Sequence, residues 1–190
     1  MAQVVSYPEA SLLEMAVLGL LKDRTMHGYE LKKELTATLG QFWQVSYGSL
    51  YPTIRRLEVE GAVERIFPKA DVVRRKNIYR ITAKGEDVFT EALREPSPVS
   101  DDARFGVKLA FFRYLNPDAR VEVLERRRAY LMDKVAEIRG QLRTYRERID
   151  AYTYRLMEHG LDNTSRDIEW VDRLIAEEKA AGAGPAPTTP

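Results

Sequence analysis

The apolar positions of the N-terminal half recur at helical spacing in three successive segments. A largely apolar run from Leu12 to Leu21 predicts a buried helix, and the polar stretch from Lys22 to Met26 breaks it. A second helix is predicted to start at His27 and to end at Gly40, because glycine commonly closes helices. The third segment, Gly48 to Glu58, predicts a short amphipathic helix.

The third helix separates an apolar face from a polar one. Apolar side chains and a glycine fall on the first face: Leu50, Ile54, Leu57 and Gly61. The second face carries hydroxyl and basic groups and a proline, namely Ser49, Pro52, Thr53 and Arg56, with Tyr51 and Arg55 along the flank. Such a helix can bury one side and touch a nucleic acid with the other, although many amphipathic helices only expose their charges to solvent.

Two segments after this helix are rich in β-branched and aromatic residues and predict strands. They are VERIFP, which starts at Val63, and NIYRIT, which starts at Asn77. The polar loop between them carries the cations Lys69, Arg74, Arg75 and Lys76. Three helices followed by a basic two-stranded hairpin predict a winged helix-turn-helix, whose third helix enters the DNA major groove while the wing contacts the backbone.

The motifs in this half resemble those of the PadR family of bacterial transcriptional regulators. They are HGYEL from His27, GSLYPTIRRLEVEGAVE from Gly48 and YRITAKG from Tyr79, in the order and at the spacing of that family. The long helical C-terminal half agrees with the larger PadR subfamily. The resemblance implies a homodimeric repressor or activator whose C-terminal helices hold the dimer. It places the DNA-reading side chains at Tyr47, Ser49, Tyr51, Pro52, Arg55 and Arg56.

A helix-breaking stretch from Glu95 to Asp102, which contains two prolines, predicts the boundary between two domains. We therefore expect a DNA-binding domain over residues 1–95, a helical dimerisation domain over residues 103–179 and a disordered tail over residues 180–190. A compact apolar segment from Phe105 to Leu115 opens the second domain. The sequence NPDA from Asn116 then predicts a helix start with asparagine as its cap.

The helix after Asn116 is predicted to be long, with apolar residues at alternating three- and four-residue spacing for about five heptads. The stripe consists of Val121, Leu124, Leu131, Val135, Ile138, Leu142, Tyr145, Ile149, Tyr152 and Leu156, and Arg128 interrupts it. Such a stripe needs cover, either from a second copy of the chain or from helices that begin at Phe105 and Asn163. We expect both and hence a homodimer; a purely intramolecular helical hairpin is the alternative.

The formal net charge of +1 conceals an uneven distribution. Residues 41–84 hold nine Lys or Arg against four Asp or Glu, whereas residues 151–190 hold four against seven. A basic excess at the third helix and the wing attracts phosphates through counterion release, which agrees with DNA binding. An ordinary solvated basic hairpin is the alternative explanation.

The remaining composition argues against catalysis, metal binding and a membrane span. The chain has no cysteine, and its two histidines, His27 and His159, are far apart and outside any metal-ligand spacing. The acidic pair Asp101 and Asp102 lies in the helix-breaking stretch rather than in a pocket-forming element. We expect no enzymatic activity, no cofactor and no metal. We also expect a cytoplasmic protein without a signal peptide or a membrane-spanning helix.

Control by a small molecule is implied only by the resemblance, in which an effector, sometimes planar and aromatic, changes the spacing of the two reading heads. Aromatic residues that could line its pocket are Trp43, Phe111, Phe112, Tyr114, Tyr152, Tyr154 and Trp170. Most of them are expected to be core, and Trp170 is the candidate wall.

The sequence therefore predicts a mainly α protein with an N-terminal winged helix-turn-helix and a helical C-terminal dimerisation domain. Its expected partners are double-stranded DNA, as a palindromic operator, a second copy of the chain and a small-molecule effector. Repression is the expected outcome of DNA binding. The competing class is a coiled-coil scaffold whose winged domain binds protein instead of DNA.

Overall fold

The computed structural model describes residues 11–39, 46–67, 77–95 and 102–182. The elements in chain order are α1 (Leu12–Asp23), β1 (Met26–His27), α2 (Gly28–Leu39), α3 (Tyr47–Val59), β2 (Val63–Ile66), β3 (Ile78–Ile81), α4 (Ala83–Arg94), α5 (Asp102–Ala110), a 3₁₀ turn (Phe112–Tyr114), α6 (Pro117–Tyr145) and α7 (Ala151–Gly182). Contacts divide the chain into two compact units. The winged unit contains α1 to α5 and the 3₁₀ turn, and the hairpin unit contains α6 and α7. The predicted fold class, mainly helical with a winged N-terminal region, is confirmed.

Helix α1 is the centre of the winged unit. A capping box starts it, because the Ser11 hydroxyl accepts from the Glu14 amide while Glu14 Oε2 accepts from the Ser11 amide at 2.6 Å. Every residue from Leu13 to Leu21 is buried. Gly19 lies against the Phe111 ring so closely that a Cβ there would come within 2.6 Å of it. The prediction of a buried first helix is therefore confirmed.

Three other helices supply the apolar faces that surround α1. The fully or almost fully buried side chains on them are Leu31, Leu35 and Leu39 of α2, Leu50, Ile54 and Leu57 of α3, and Phe89 and Leu93 of α4. Each of these residues contributes about 1.5–3 kcal/mol by leaving water. Leu50, Ile54 and Leu57 hold the apolar face of α3 against this core.

The sheet of the winged unit has three antiparallel strands in the order β1-β3-β2. Both predicted wing strands are present, with Val63 opposite Ile81 and Ile66 opposite Ile78. The prediction of a two-stranded sheet missed β1, whose Met26 lies opposite Tyr79. A strand of two residues has no alternating pattern to detect, and it forms because the other edge of β3 is available for pairing.

The boundary between the units lies further along the chain than predicted. Residues 101–115 join the winged unit, so the predicted boundary within residues 95–102 does not separate the two cores. Aromatic packing explains the difference: the Phe89 ring meets the rings of Phe111 and Tyr114 edge-on, with centroids 5.7 Å and 5.6 Å apart. Helix α5 and the 3₁₀ turn thus extend the core of the winged unit.

The hairpin unit begins with the predicted cap, since Asn116 Oδ1 accepts from the Ala119 amide at 2.8 Å. The prediction of one helix continuing through Leu156 is wrong, because α6 ends at Tyr145 and the chain turns over residues 146–150. The prediction of a later helix that begins at Asn163 is also wrong, because α7 begins at Ala151. Asp150 caps it by accepting from the amides of Tyr152 and Thr153 at 2.8 Å and 3.1 Å.

Helices α6 and α7 pack against each other in antiparallel orientation. Ion pairs between them join Arg120 to Glu178 at 3.1 Å, Arg128 to Asp172 at 2.5 Å and Lys179 to Glu125 at 2.8 Å. Arg128 is the residue that interrupts the predicted stripe. It pairs with Asp172 on α7 of the same chain.

The predicted stripe divides into covered and uncovered residues. Leu124, Leu131 and Val135 are buried, as are Val171 and Ile175 of α7, whereas Val121, Ile138, Leu142 and Ile149 are half-buried. Three stripe residues at the ends of the helices that flank the turn are exposed: Tyr145, Tyr152 with 89% of its surface accessible, and Leu156 with 70%. The first half of the stripe is therefore covered within one chain, as in the intramolecular alternative, and the last part is not. The predicted tail starts too early, since α7 extends to Gly182; residues 183–190 lie outside the described part of the chain.

Candidate nucleic-acid interface

Helix α3 is seated in the winged unit by its buried face and by both of its ends. Leu50, Ile54 and Leu57 are at most 1% exposed. The Ser46 hydroxyl caps the start by accepting from the Ser49 amide at 3.2 Å. Gly61 follows the helix with φ of +74°, a backbone conformation that favours glycine. The other face of α3 is therefore held in a defined orientation toward solvent.

The exposed face of α3 carries most of the predicted reading residues. Tyr47, Ser49, Tyr51, Pro52 and Arg55 are all exposed. The rings of Tyr47 and Tyr51 stack, with centroids 6.2 Å apart and planes 15° apart, and the Lys32 ammonium lies 3.5 Å from the Tyr47 centroid. This surface combines a cation from α2 with two aromatic rings, so it offers hydrogen-bond donors, apolar area and positive charge to a partner.

Arg55 is an exposed cation on this face that can contact a partner molecule. Among the described residues it has no ion-pair or hydrogen-bond partner. An arginine can donate bidentately to a guanine edge or to a phosphate, provided that its guanidinium is not already engaged. Arg55 therefore fits the predicted DNA-contacting role.

Two predicted reading residues occupy different positions from those expected. Thr53 is buried, and its hydroxyl donates to the Ser49 carbonyl oxygen at 2.9 Å, so its assignment to the reading face is wrong. Arg56 is 52% exposed, but its Nε lies 2.5 Å from Oε1 of Glu14, whose side chain is only 10% exposed. Arg56 thus ties α3 to the capping box of α1, although about half of its side chain stays accessible.

The HGYEL motif at the start of α2 contacts the ring of Tyr51 through Gly28. A Cβ on Gly28 would come within 2.9 Å of Tyr51 Cε1, so the missing side chain lets the tyrosine ring lie against the backbone at the start of α2. Glu30 Oε2 accepts from the His27 amide at 2.9 Å, and this bond, together with Arg24, lowers the pKa of Glu30 below its usual value. The motif alone did not predict the contact between Gly28 and Tyr51 of α3.

Two arginines on the described wing strands are paired with carboxylates of the winged unit. Arg65 donates two hydrogen bonds to Glu58, at 3.0 Å and 2.9 Å, and Arg80 pairs with Glu64 at 2.7 Å across the two strands. Burial raises the pKa of Tyr79, which lies on β3 between these pairs. The predicted phosphate contacts Lys69, Arg74, Arg75 and Lys76 lie outside the described residues, so they stay predictions.

The two histidines, which were considered for catalysis or metal binding, each lie near one polar group of the fold. His27 Nδ1 lies 3.4 Å from the Asn77 carbonyl oxygen, and His159 Nε2 lies 3.0 Å from the Asn163 side chain. Within the described ranges, no group of His, Asp and Glu has an arrangement suited to a metal ion. The described helices likewise include none with both the length and the apolarity needed to cross a bilayer.

Most of the aromatic residues considered for an effector pocket are accounted for by packing or exposure. Phe111 and Phe112 are buried in the winged unit, Tyr114 is half-buried there, and Tyr152 is exposed on α7. Trp170 and Tyr154 lie on α7, exposed and half-buried respectively, and Trp43 lies outside the described residues. An effector contact of Trp170 stays a prediction.

Comparison with known proteins finds a matching family model for a segment in each half of the chain. Residues 17–91 match the family model described as transcriptional regulator PadR-like, and residues 103–178 match the model described as virulence activator alpha C-term. The negative transcriptional regulator PadR of Bacillus subtilis (strain 168) is 19% identical over 175 residues, which are 87% of this chain and 96% of that protein.

Two similar solved structures are those of Bacillus subtilis PadR in complex with operator DNA and in complex with p-coumaric acid. Each is 20% identical to this chain, of which they cover 88% and 89%, and in both cases the match takes in 99% of the other chain. The TM-scores are 0.42 and 0.41.

Proposed function

This chain belongs to the PadR-like family of transcriptional regulators, and from that membership we propose that it binds a palindromic operator as a homodimer and represses transcription. It is a regulator rather than an enzyme, as the matched family and the curated relative are. That relative is a negative regulator, which supports repression as the direction of control. A small molecule that weakens DNA binding is part of the same proposal.

The observation that carries the DNA-binding role is the solvent face of α3. An arginine without a partner among the described residues, Arg55, stands beside the stacked rings of Tyr47 and Tyr51 on a helix whose other face is buried. A helix seated in this way can enter a major groove without losing its packing. We propose that Arg55 and Tyr51 contact bases, that Tyr47, Ser49 and Pro52 contact the backbone nearby, and that Lys69, Arg74, Arg75 and Lys76 of the wing contact phosphates.

The homodimer is supported by the apolar residues that the hairpin leaves uncovered. Tyr145, Tyr152 and Leu156 are exposed at or next to the turn between α6 and α7. We call these three residues the hairpin-tip patch. Exposed apolar side chains near one end of a helical hairpin are candidates for an interaction site, and a two-fold operator calls for a second reading head. A second copy of the chain that covers the hairpin-tip patch meets both requirements.

Two steps test the DNA-binding proposal. Purified protein first selects its operator from genomic fragments, and fluorescence anisotropy then compares Arg55→Ala with wild type on that operator. Loss of a good base contact costs about 1–3 kcal/mol, so we expect roughly tenfold weaker binding. Arg166→Ala, which removes an exposed arginine from α7, is the matched control and should bind as wild type does.

Three results would decide against this assignment. Equal operator affinity for Arg55→Ala and wild type would remove α3 from the interface. Loss of affinity in both arginine variants would mean that overall charge, not the reading face, governs binding. Failure to bind any DNA at low salt would favour the protein-binding scaffold instead.

A further inference from the structure

The winged unit contains a cavity of about 490 Å³ beside the reading helix. Its walls come from the start of α2, from α3 and from β3 with the residue before it: His27, Tyr29, Glu30, Tyr51, Asn77 and Tyr79, over the backbone of Gly28. The volume is within the range of small-molecule sites, which is about 300–1,000 Å³. All of its walls belong to one compact unit.

Aromatic rings dominate the lining. Tyr79 is buried and Tyr51 lies against Gly28. Tyr29 is 68% exposed. An exposed tyrosine next to two others offers a further ring face to an occupant. Flat aromatic ligands and cations both bind to such faces, so the rings alone leave the charge of the ligand open.

The charge of the lining selects between these ligands. Among the described residues that line the cavity, Glu30 carries the formal charge and none is Lys or Arg. Arg65 lies outside this lining, with its guanidinium 5.9 Å from the Tyr79 ring centroid and its charge paired with Glu58. Arg24 approaches Glu30 Oε1 only at 3.5 Å and makes its shorter contact, 3.1 Å, with Glu34. Glu30 is a carboxylate of the kind that is ionised at neutral pH, and the hydrogen bond from the His27 amide lowers its pKa further. An anionic occupant would therefore meet a negative charge, whereas a cation would meet a carboxylate and ring faces.

We propose that this cavity binds a planar aromatic cation, and that the bound cation competes with DNA because Tyr51 is a wall of the cavity and a reading residue at once. The binding step stands on the cavity alone, and the competition step rests on the proposed function. Nothing in the site requires the C-terminal helices. The effector would therefore act directly at the reading face, without a change in the spacing of the two heads.

Calorimetry on the full-length protein without DNA tests the binding step. The probes are 2-naphthylmethylammonium and 2-naphthoate, which share one ring system and differ in charge. We expect the ammonium to bind once per chain. The carboxylate should bind roughly tenfold more weakly or not at all, because Glu30 and the ring faces attract a cation and repel an anion. Equal binding of the two probes, or preference for the carboxylate, would overturn the proposal.

Variants on α2 locate the site. Glu30→Gln keeps an oxygen that can accept from the His27 amide but removes the charge, and it should weaken ammonium binding roughly fivefold. Glu34→Gln is the matched control, because Glu34 also pairs with Arg24 but does not line the cavity, and it should bind the ammonium as wild type does. Tyr29→Leu removes an exposed ring face and should also weaken binding. Unchanged ammonium affinity in Glu30→Gln and Tyr29→Leu would place the ligand elsewhere.

Operator titrations with and without saturating ammonium test the competition step. We expect the ammonium to weaken operator binding roughly fivefold or more in wild type, a common size for coupling between ligands. Unchanged operator affinity with the probe bound would overturn the competition. If the chain bound no DNA at all, the proposed function would fail, whereas the calorimetric result would still decide whether the cavity is a cation site.

Discussion

The two units of this chain bury their helices to very different extents. In the winged unit, every residue of α1 from Leu13 to Leu21 is buried. In the hairpin unit, the 32 residues of α7 include only three buried ones within its described side chains, namely Thr164, Val171 and Ile175. A helix enclosed by its own chain gains its stability from that chain. A helix that buries only one narrow face leaves apolar side chains that another molecule can cover. The winged unit is therefore expected to respond to mutation as a folding unit, and the hairpin as an assembly surface.

The ion pairs of the hairpin do not remove this difference. The three pairs between α6 and α7 involve side chains that are 23–58% exposed. Exposed pairs of this kind contribute about 0–1 kcal/mol each, less than one well-buried leucine. Their effect is to align the two helices, since a shift of either helix would separate all three pairs. Stability beyond that alignment has to come from apolar contacts.

The largest expected effect comes from charging the hairpin-tip patch. Tyr152→Asp together with Leu156→Asp should separate the proposed dimer without unfolding either unit, because both side chains are exposed in the single chain. A monomer loses the effective concentration of its second reading head, and operator affinity should fall by a factor of about 10²–10⁴. Light scattering gives the mass, and anisotropy gives the operator affinity.

The matched control for the hairpin-tip patch introduces the same charges elsewhere on α7. Arg166→Asp with Ala176→Asp changes two exposed residues outside the patch and should leave the dimer intact. If the patch variant remained a dimer with full operator affinity, the second copy would have to dock on another surface.

Within the winged unit, removal of one buried side chain should lower stability rather than assembly. Leu57→Ala leaves a cavity under α3 and should reduce the free energy of unfolding by about 2–5 kcal/mol. Val59→Ala, on the same helix but 89% exposed, should change it by no more than about 0.5 kcal/mol. Urea unfolding measures both variants. Equal effects would show that α3 does not rest on its apolar face.

The smallest expected effect concerns the N-terminus of α7 in acid. Hydrogen bonds from Thr153 and from the amides of Thr153 and Tyr152 lower the pKa of Asp150 below its usual 3.8. A carboxylate with a lowered pKa stabilises the helix start at pH values above its unfolded pKa, and this stabilisation is lost as the pH falls through the folded pKa. Amide exchange protection at Tyr152 and Thr153 should therefore decrease below pH of about 4.

A second helix start in the same unit is the reference for this titration. Asn116 caps α6 through the Ala119 amide and does not titrate, so protection at Ala119 should not follow that acid transition. Asp150→Asn should likewise remove the transition at α7, because an asparagine keeps the acceptor and loses the ionisation. Persistence of the transition in Asp150→Asn would assign it to another carboxylate.

Local patterns determined much of what the structure shows. Amphipathic spacing was sufficient to predict the buried first helix and the apolar face of α3, since each depends on residues three or four positions apart. The Asn116 cap and the two wing strands followed from local residue preferences in the same way. The assignment of Thr53 to the polar face is wrong on spacing itself: Thr53 lies three residues after Leu50 and four before Leu57, and these intervals put it on the buried side of α3.

The turn between α6 and α7 shows a limit of such local patterns. Residues 146–150 contain neither glycine nor proline, and apolar residues keep their spacing through them from Tyr145 to Tyr152. Because two helices that pack against each other have the same period as one long helix, the pattern could not show where the chain folds back. The packing of buried residues on α6 against those on α7, together with the aligning ion pairs, shows the hairpin.

The sequence by itself thus determined the family resemblance, the winged architecture and the helix that we propose to contact DNA, because these depend on short-range periodicity and on contiguous motifs. Only the tertiary structure decided which side chains of that helix are available. Arg56 pairs with Glu14, which is 42 residues away in the chain, and Tyr51 rests on Gly28 of another helix. Adjacent arginines look equivalent along the chain, but only packing brings a buried carboxylate to Arg56 and leaves Arg55 to solvent.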